Sequence, residues 1–352
     1  MNEDEGLLEE MRKAVADFLR AEADPARRRT AMDSDDGYDR SLFERGVTEL
    51  GLGGLTVPEA CGGLGLGFAE AAVVIEEFGR AVVPSPVPDT LVAATVLAEA
   101  GEPAQEVLHR LATDPVAIAV AGVAGPVGVD GGRLHGTARA VPHGARADLV
   151  LVLGADGGVY LVSPADPGVT RTARWALDHT RRLADVEFSH VPAQRLARGG
   201  DLARRLVDLV RIAIAVESAA AASACLEQTV AYLKVREQFG RPIGSFQALK
   251  HRCADMAVAV HGALATARYA VRCAASGAAT DSSGDDVATV AAVAKTVCTD
   301  TLMSVAADCL QLHGGVGFTF EHDLHLYLKR GKANQVLAGR NAQLRATFAA
   351  KL

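Results

Sequence analysis

The sequence predicts an α+β protein of three consecutive parts: a helical domain over residues 1–112, a small antiparallel β domain over 113–198 and a four-helix bundle over 199–352. Two observations support this prediction. Apolar residues recur every three or four positions at both ends of the chain, whereas in the middle they occur in short β-branched runs with a period of two. Gly, Asp and Pro interrupt those runs at close intervals, as they do between antiparallel strands.

The N-terminal part contains three predicted helices. The first carries apolar residues at helical spacing, namely Leu7, Leu8, Met11, Val15 and Leu19. A second, amphipathic helix is predicted over 69–82 and a third over about 90–112. The glycine-rich loop 58–67 separates the first two, because its glycines indicate backbone that turns sharply or approaches a neighbour closely.

The middle part is predicted to be sheet. The runs 116–123, 147–154 and 157–164 are short and rich in Val, Leu and Ile. Turn-forming sequences separate them, at 130–132, 156–158 and 166–167. This arrangement predicts a compact antiparallel β domain.

The C-terminal part is predicted to contain four long helices, at about 202–236, 245–276, 285–312 and 323–348. Short connections at 240–244 and 314–317 and a Ser/Gly/Asp linker at 276–286 lie between them. Asp285 and Asp286 are expected to cap the third helix. Long antiparallel helices joined by short connections form a bundle.

Composition and charge exclude several functions. The 352-residue chain is 49% hydrophobic and 22% charged, which is the balance of a soluble globular protein, and its net charge is −7. Without a basic tract or a nucleic-acid-binding motif, no nucleic-acid partner is expected. The sequence has no run of about 18 apolar residues, so no membrane-spanning helix or membrane partner is expected.

Cysteine usage and the N-terminus predict a cytoplasmic protein. The six cysteines form no CxxC pair and no zinc-binding spacing, and most lie in Ala/Val-rich helical pattern. This pattern predicts reduced, buried thiols and no metal site. The acidic start MNEDEGLLEE lacks the apolar core of a signal peptide.

A first candidate site begins where the first bundle helix ends. Arg236 is followed by Gln238 and Phe239, and then by a Gly-x-Pro turn that leads into the next helix. A guanidinium beside a helix N-terminus suits a pyrophosphate, because both supply N–H donors and positive charge. The same residues could instead form a charged helix end followed by an ordinary turn.

A second candidate site is the stretch Gln311-Leu-His-Gly-Gly-Val-Gly-Phe318, which follows a predicted long helix. Gly314 and Gly315 would let the backbone approach a ligand or another subunit closely. The alternative is a glycine cap that simply ends the helix. The two stretches, about 75 residues apart on adjacent predicted bundle helices, are more specific together than either is alone.

These stretches occur in an order that resembles the acyl-CoA dehydrogenase family of flavoproteins. The C-terminal pattern is Tyr232-x-x-x-Arg-x-Gln-Phe-Gly-x-Pro-Ile-x-x-Phe-Gln247, then Ala254-Asp-Met256, then Gln311-x-x-Gly-Gly-x-Gly-Phe318. The stretches Gly54-Leu-Thr-Val-Pro-Glu-x-x-Gly-Gly-Leu-Gly65 and Glu76-Glu-Phe-Gly-Arg80 are similar to the N-terminal domain of that family. The resemblance covers nearly the whole chain and is strongest at its two ends.

The resemblance implies an FAD cofactor bound between the β domain and the bundle. It implies that Arg236, Gln238 and Phe239 hold the pyrophosphate and adenosine region of FAD. Gln311, Gly314 and Gly315 would reach FAD across a dimer interface. Asp208, with Arg211 beside it, matches a region that contacts the CoA part of the substrate. The implied reaction is α,β-desaturation of an acyl thioester on CoA or a carrier protein, with electron-transfer flavoprotein or a similar acceptor.

The sequence departs from the family at the catalytic base, which is usually a Glu that removes a proton from Cα. In one common location the residue here is Ala338, within Leu337-Ala-Gly-Arg340. In the other it is Val210, within Asp208-Leu-Val-Arg211. Neither side chain can accept a proton, so the catalytic residue is not identified. Asp208 and Glu217 on the same predicted helix are the weaker candidates.

Each of those two carboxylates has a structural interpretation as well. Asp208 could be a solvated helix charge, and Glu217 a paired carboxylate near an interface. Glu321, His322, Asp323 and His325 resemble a metal cluster, but a solvated first helical turn explains them better. His313 could bind a phosphate, although a packed interface histidine is the preferred interpretation.

The β domain departs from the family too. The loop that usually contacts the flavin ring is shortened to 121–128 and 139–142, without its hydroxyl and carboxylate groups. In the family, some heteromeric enzymes pair a catalytic subunit with a subunit that has lost its base, and short chains of this sort resemble subunits of bacterial steroid side-chain dehydrogenases. We therefore expect such a subunit, with a homologous partner in a heterodimer or heterotetramer. A homo-oligomeric flavoenzyme with a relocated base and a non-redox scaffold remain as alternatives.

Overall fold

The computed structural model describes residues 3–197, 200–280 and 284–349. Its order of elements is helical, then β, then helical, as the sequence predicts. The helices of the N-terminal part are α1 (Glu3–Glu22), α2 (Pro25–Asp33), α3 (Arg40–Leu50), α4 (Phe68–Ala81), α5 (Val87–Ala100) and α6 (Gln105–Thr113).

The N-terminal helices differ from the prediction in two respects. Helices α2 and α3 were not predicted. Helix α2 buries only Ala31 and therefore shows no apolar face in the sequence. The predicted helix 90–112 is two helices, because Gly101 adopts a φ of 71° and the following Glu-Pro pair breaks the hydrogen-bond ladder.

The middle part contains eight strands within the described residues, arranged as two four-stranded sheets. They are β1 (Ile118–Ala121), β2 (Gly128–Asp130), β3 (Arg133–Pro142), β4 (Leu149–Leu153), β5 (Val159–Val162), β6 (Val169–Arg174), β7 (Leu183–Pro192) and β8 (Gln194–Ala197). The sheet orders are β1-β4-β5-β8 and β2-β3-β7-β6. The prediction of a purely antiparallel domain is wrong for one pair, since β1 and β4 run parallel.

An irregularity in β3 shapes the edge of this domain that faces the bundle. The pairing of β3 with β7 shifts between Ala138 and Val141. Ala140 in the shift has a φ of 53°, and its N–H donates to Oδ1 of Asp185 at 3.1 Å. The shift turns residues 139–142 toward the bundle helices, where they line a cavity.

The C-terminal part consists of α7 (Asp201–Val235), the hairpin β9 (Glu237–Gln238) and β10 (Arg241–Pro242), α8 (Gln247–Ala275), α9 (Val287–His313), α10 (Leu324–Asn334) and α11 (Asn341–Ala349). The predicted fourth helix is thus two short helices, separated by a turn over 335–340. Small side chains on α7 and α9 are fully buried, which lets the two helices pack closely: Ala215, Ala219, Ala220, Ala291 and Ala294.

The N-terminal domain and the bundle share one apolar core. A single cluster of buried side chains extends from Val15 in α1 to Cys298 in α9. Helices α4 and α7 cross backbone to backbone, because a Cβ on Gly79 would lie 2.7 Å from the carbonyl oxygen of Glu217. The six cysteines are free thiols, and all except the half-buried Cys253 are buried.

The acidic and histidine-rich segment before α10 is tied to the N-terminal domain. Asp323 accepts from Arg28 at 2.5 Å and from Arg29 at 2.6 Å, and Arg29 also donates to the carbonyl oxygens of Phe320 and Glu321. The interpretation of this segment as a solvated helical turn is therefore wrong for Asp323, which is ion-paired and largely buried.

Two helical stretches are long and apolar enough to cross a membrane by length and composition, Asp201–Val235 and Val287–Phe318. Most of the apolar part of the first lies inside the protein, as in the core helix of a bundle. The sequence analysis missed both because they contain isolated polar residues. The absence of a membrane-spanning segment stays a prediction.

Candidate functional site

A small cavity lies where α5, the β domain and α7 meet the turn before α11. Its volume is about 60 Å³, and Val210 and Ala338 both line it. The structure thus brings together the two positions at which the sequence analysis looked for a base. Most of the remaining lining is apolar, and the ionisable residues among it are Asp89, Arg139, Arg181 and Glu217. Ligand pockets usually measure roughly 300–1,000 Å³, so this cavity is too small for a flavin ring and a substrate.

The turn that carries Ala338 is firmly held although its side chain is only a methyl group. Ala338 is buried and has a φ of 53°, a left-handed conformation that is strained for a residue other than glycine. Arg211 Nε donates to its carbonyl oxygen at 3.3 Å. Buried Lys295 donates to the carbonyl oxygens of Gln335 at 3.1 Å and Gly339 at 2.7 Å. These contacts fix a turn that presents no functional group.

Glu217 forms the centre of a buried ionic network beside the cavity. It is 2% exposed and accepts hydrogen bonds from Arg181, from Arg330 at 2.6 Å and from Asn334 at 3.2 Å. Burial alone would raise the pKa of Glu217, but the two guanidinium groups outweigh burial and lower the pKa to about 2. A carboxylate that is paired in this way is a poor base, so the structure argues against Glu217 as the catalytic residue.

The network closes the cleft between the β domain and the bundle. The loop 175–182, which we call the plug loop, connects β6 to β7 and supplies Asp178, Thr180 and Arg181. Arg330 of α10 donates to Asp178 Oδ2 at 2.6 Å and to Thr180 Oγ1 at 2.5 Å. Because all of these side chains are buried, the plug loop, α7 and α10 form one joint.

Asp89, at the start of α5, is the carboxyl group that the sequence analysis missed. It lines the cavity and makes no side-chain hydrogen bond with any residue that the structure describes. Burial raises its pKa to about 6, although Arg181 nearby opposes the shift. In the sequence, Asp89 looks like an ordinary acidic residue in the first turn of a helix, which stabilises the helix dipole. No local signal distinguishes it.

Asp208 does not have the environment that the sequence analysis considered first. It is 7% exposed, so its interpretation as a solvated helix charge is wrong. Burial raises the pKa of Asp208 to about 6, with Arg211 opposing the shift. It does not line the cavity that Val210 lines, because a separation of two residues places the two side chains on different faces of the helix. A contact of Asp208 and Arg211 with substrate stays a prediction.

The first predicted FAD-binding stretch lies at the far end of α7. Arg236 follows the last residue of the helix, and Gln238 and Phe239 belong to the hairpin β9–β10. Phe239 is 90% exposed at the tip, with a φ of 55°. The Arg236 side chain is exposed and makes no hydrogen bond or ion pair with the described part of the chain.

The second stretch lies beside the first. Gln311 is exposed near the end of α9, and Gly314 has a φ of 62° where the helix ends. A Cβ on Gly314 or Gly315 would meet nothing within 4 Å, so the space in front of this turn is open. Tyr232 stacks on His313 with ring centroids 4.2 Å apart, which joins the two helix ends. His313 is thus buried and packed, whereas its location at a subunit interface stays a prediction.

The distance along α7 separates these two regions. Val210 and Arg236 are 26 residues apart on one continuous helix, a rise of about 39 Å. The closed cavity and the exposed hairpin therefore serve different purposes. The hairpin and the glycine turn fit a ligand at the surface of the protein, whereas the cavity does not fit a flavin ring.

This chain belongs to the acyl-CoA dehydrogenase family. Its residues 7–113 match the model for the acyl-CoA dehydrogenase N-terminal domain, and residues 197–352 match that for the C-terminal domain. The family and the fold predicted from the sequence are therefore confirmed. The family is one of FAD-binding oxidoreductases, and binding of FAD by this chain itself stays a prediction.

Among its relatives, "Acyl-CoA dehydrogenase IpdE2" of Mycolicibacterium smegmatis is 37% identical over 96% of both chains. "Acyl-CoA dehydrogenase FadE34" of Mycobacterium tuberculosis is 39% identical over 81% of this chain and 38% of its own length. A similar solved structure is a variant of the Tcur3481-Tcur3483 steroid ACAD, with a TM-score of 0.87 and 31% identity over 98% of this chain and 99% of that one. Another is the ChsE4-ChsE5 complex from Mycobacterium tuberculosis, with a TM-score of 0.85 and 26% identity over 98% and 96%.

Proposed function

We propose that this chain is the subunit without a catalytic base in a heteromeric FAD-dependent acyl-CoA dehydrogenase. One observation carries the proposal: Val210 and Ala338 line a cavity of about 60 Å³ beside the buried pair of Glu217 and Arg181. Neither Val210 nor Ala338 can accept a proton from a thioester, and Glu217 is held in ion pairs. The catalytic Glu would come from a homologous partner subunit.

The role of this chain would be to complete the partner's cofactor site. FAD, when bound in the complex, supplies the acceptor for the hydride from Cβ. Arg236 would neutralise part of the pyrophosphate charge, and Gly314 and Gly315 would let the backbone approach the adenosine half closely. The exposed hairpin would also exclude water from that end of the cofactor.

The substrate would be a bulky CoA thioester, with electron-transfer flavoprotein or a similar protein as acceptor. A solved structure that is 31% identical is a steroid ACAD, which supports a large ring-containing acyl group. The two-component names of that structure and of the ChsE4-ChsE5 complex support a heteromeric assembly. A cytoplasmic location is part of the same proposal, and six free thiols support it.

A second candidate function rests on Asp89. A homo-oligomeric enzyme with a relocated base would need a carboxyl group on the cavity wall that is not locked in ion pairs, and Asp89 meets that condition. The cavity would then have to open before a substrate and a flavin could enter. Asp208 and Glu217 meet the condition less well.

The test is the visible absorption of the chain purified alone and after co-expression with its genomic neighbour, at about 450 nm where oxidised flavin absorbs. Flavin only in the complex, together with loss of activity when the partner's Glu is replaced, is the expected result. Flavin and dehydrogenase activity in the lone chain would contradict the proposal and support Asp89 as the base. Flavin in neither sample would leave a scaffold without a redox role.

A further inference from the structure

A groove between α1 and α8 lies on the opposite side of α7 from the interdomain cavity. Its volume is about 430 Å³, within the range of ligand pockets. Apolar side chains of four helices line it, including Leu8, Val73, Val216, Leu264 and Val271. Val216 points into the groove while its neighbour Glu217 belongs to the ionic network, so α7 separates the two sites.

The acidic groups in this groove share one arginine. Arg12 of α1 forms ion pairs with Glu76 at 2.9 Å, with Glu77 at 3.2 Å and with Glu9 at 3.5 Å. Glu9 and Glu76 are the acidic residues that line the groove. A cationic ligand would therefore have to compete with Arg12 for them.

The opposite rim carries positive charge that has no counterion among the described residues. Arg268 and Arg272 of α8 are exposed, line the groove and form no ion pair with any residue in the described ranges. They are one helical turn apart, so their like charges repel and slightly destabilise the helix. Arg272 lies over the ring of Tyr269 at 5.6 Å, which orients its guanidinium but leaves its charge unpaired. An apolar groove with two unneutralised cations on one rim is complementary to an amphipathic anion.

We propose that this groove binds a single-chain carboxylate of the fatty-acid type. The hydrocarbon chain lies on the floor formed by α4 and α7, and the carboxylate meets Arg268 and Arg272. A neutral apolar ligand would leave both cations unused, and a polyanion would meet Glu9 and Glu76 on the other rim. The site is independent of the FAD role proposed above, because Val216 in the groove and Arg236 at the hairpin are 20 residues apart along the chain of α7, a rise of about 30 Å.

Calorimetric titration tests the proposal. Dodecanoate, at concentrations too low for micelles, is added to the full-length protein in the assembly in which it is purified. The expected result is saturable binding of one molecule per chain, with a negative heat-capacity change from apolar burial. Dodecanol, which has the same chain without the charge, is expected to bind about tenfold more weakly.

Three variants locate the site. The double variant Arg268→Gln with Arg272→Gln is expected to make dodecanoate bind as weakly as dodecanol. Leu264→Trp is expected to abolish binding of both, because the indole fills the groove. The control is Arg252→Gln on the same helix, outside the groove, where Arg252 pairs with Asp308 at 2.5 Å. It is expected to leave binding unchanged.

Two results of the titrations would overturn the proposal. One is non-saturable heat, or equal binding of dodecanoate and dodecanol to the unsubstituted protein. The other is unchanged dodecanoate binding in the arginine variant, whose substitutions are on the surface and leave the fold intact even if Leu264→Trp does not. Binding to vesicles of anionic lipid without binding of free dodecanoate would also overturn it and indicate a membrane surface. Flavin content, measured on the same samples, is expected to stay constant in all variants.

Discussion

The two ends of α7 present opposite kinds of surface. Near its start and middle, Val210 and Glu217 face a closed region in which the buried carboxylate is fully paired. At its end, Arg236 and Phe239 are exposed and the Arg236 side chain has no partner in the described chain. Paired buried charges hold domains together, whereas an unpaired cation beside an exposed aromatic ring gains from a ligand or a subunit. The region where the family performs its chemistry is here a structural joint.

A substitution in the joint is expected to have the largest effect, which is on the free energy of unfolding. Glu217→Gln leaves Arg181 and Arg330 buried with too little negative charge, so we expect a loss of about 3–5 kcal/mol in the free energy of unfolding. Urea denaturation followed by circular dichroism measures this loss.

The matched control for the joint is Glu227→Gln on the same helix. Glu227 pairs with Arg80, but its side chain is 57% exposed, so we expect a loss below about 1 kcal/mol. Equal effects of the two substitutions would show that the network does not hold the domains together.

A substitution at the other end of α7 is expected to have the next largest effect, which is on FAD affinity. Arg236→Ala is expected to weaken FAD binding to the complex by about 1.5–3 kcal/mol, roughly tenfold to a hundredfold, because it removes a charge-assisted contact. The thermal midpoint of the lone chain is expected to stay the same. FAD release on dilution measures the affinity.

The control for the hairpin is Arg40→Ala, which removes an exposed arginine of the N-terminal domain. It is expected to leave FAD affinity unchanged. Unchanged FAD affinity in Arg236→Ala as well would remove the pyrophosphate assignment.

Substitutions of Ala338 test, at a single position, whether the cavity is closed. Ala338→Gly is expected to raise the free energy of unfolding by up to about 1 kcal/mol, because glycine adopts the observed left-handed φ without strain. Ala338→Glu places a carboxyl group at this position. It is nevertheless expected to yield no dehydrogenase activity in the lone chain, since the cavity has no room for a substrate. Thermal denaturation and a dye-reduction assay check the pair. Activity in Ala338→Glu would mean that the cavity opens.

Substitution of Asp89 is expected to have the smallest effect on stability, and the size of that effect depends on pH. Its folded-state pKa of about 6 lies above its ordinary value of 3.8, so its favourable contribution is present below pH 3.8 and is lost as the pH rises through 6. Asp89→Asn should therefore stabilise the protein at pH 7 and much less at pH 4. Denaturation midpoints of both proteins at the two pH values measure the difference. A pH-independent effect would show that Asp89 is solvated.

The sequence predicted the parts of this molecule that depend on local pattern. The long helices α7, α8 and α9 follow from apolar periodicity. The assignment of Val210 and Ala338 to the base positions of the family stays a prediction, although both residues line one cavity. Helix α2 was missed because it buries only Ala31 and has almost no apolar stripe, whereas α3 has a stripe of Leu42, Phe43 and Val47 and could have been predicted. The plug loop could not be foreseen, because Asp178, Arg181, Glu217 and Arg330 are far apart in the chain and only the fold pairs them. Asp89 was missed for the same reason.

The closed joint has a consequence for the evolutionary history open to this chain. Restoring a Glu at position 338 alone would place it in a cavity of about 60 Å³, and removing Glu217 or Arg330 alone would leave an uncompensated buried charge. Every single step back toward a self-sufficient enzyme therefore passes through a less stable or still inactive protein. If a partner supplies the base, dependence on that partner is not reversible one substitution at a time.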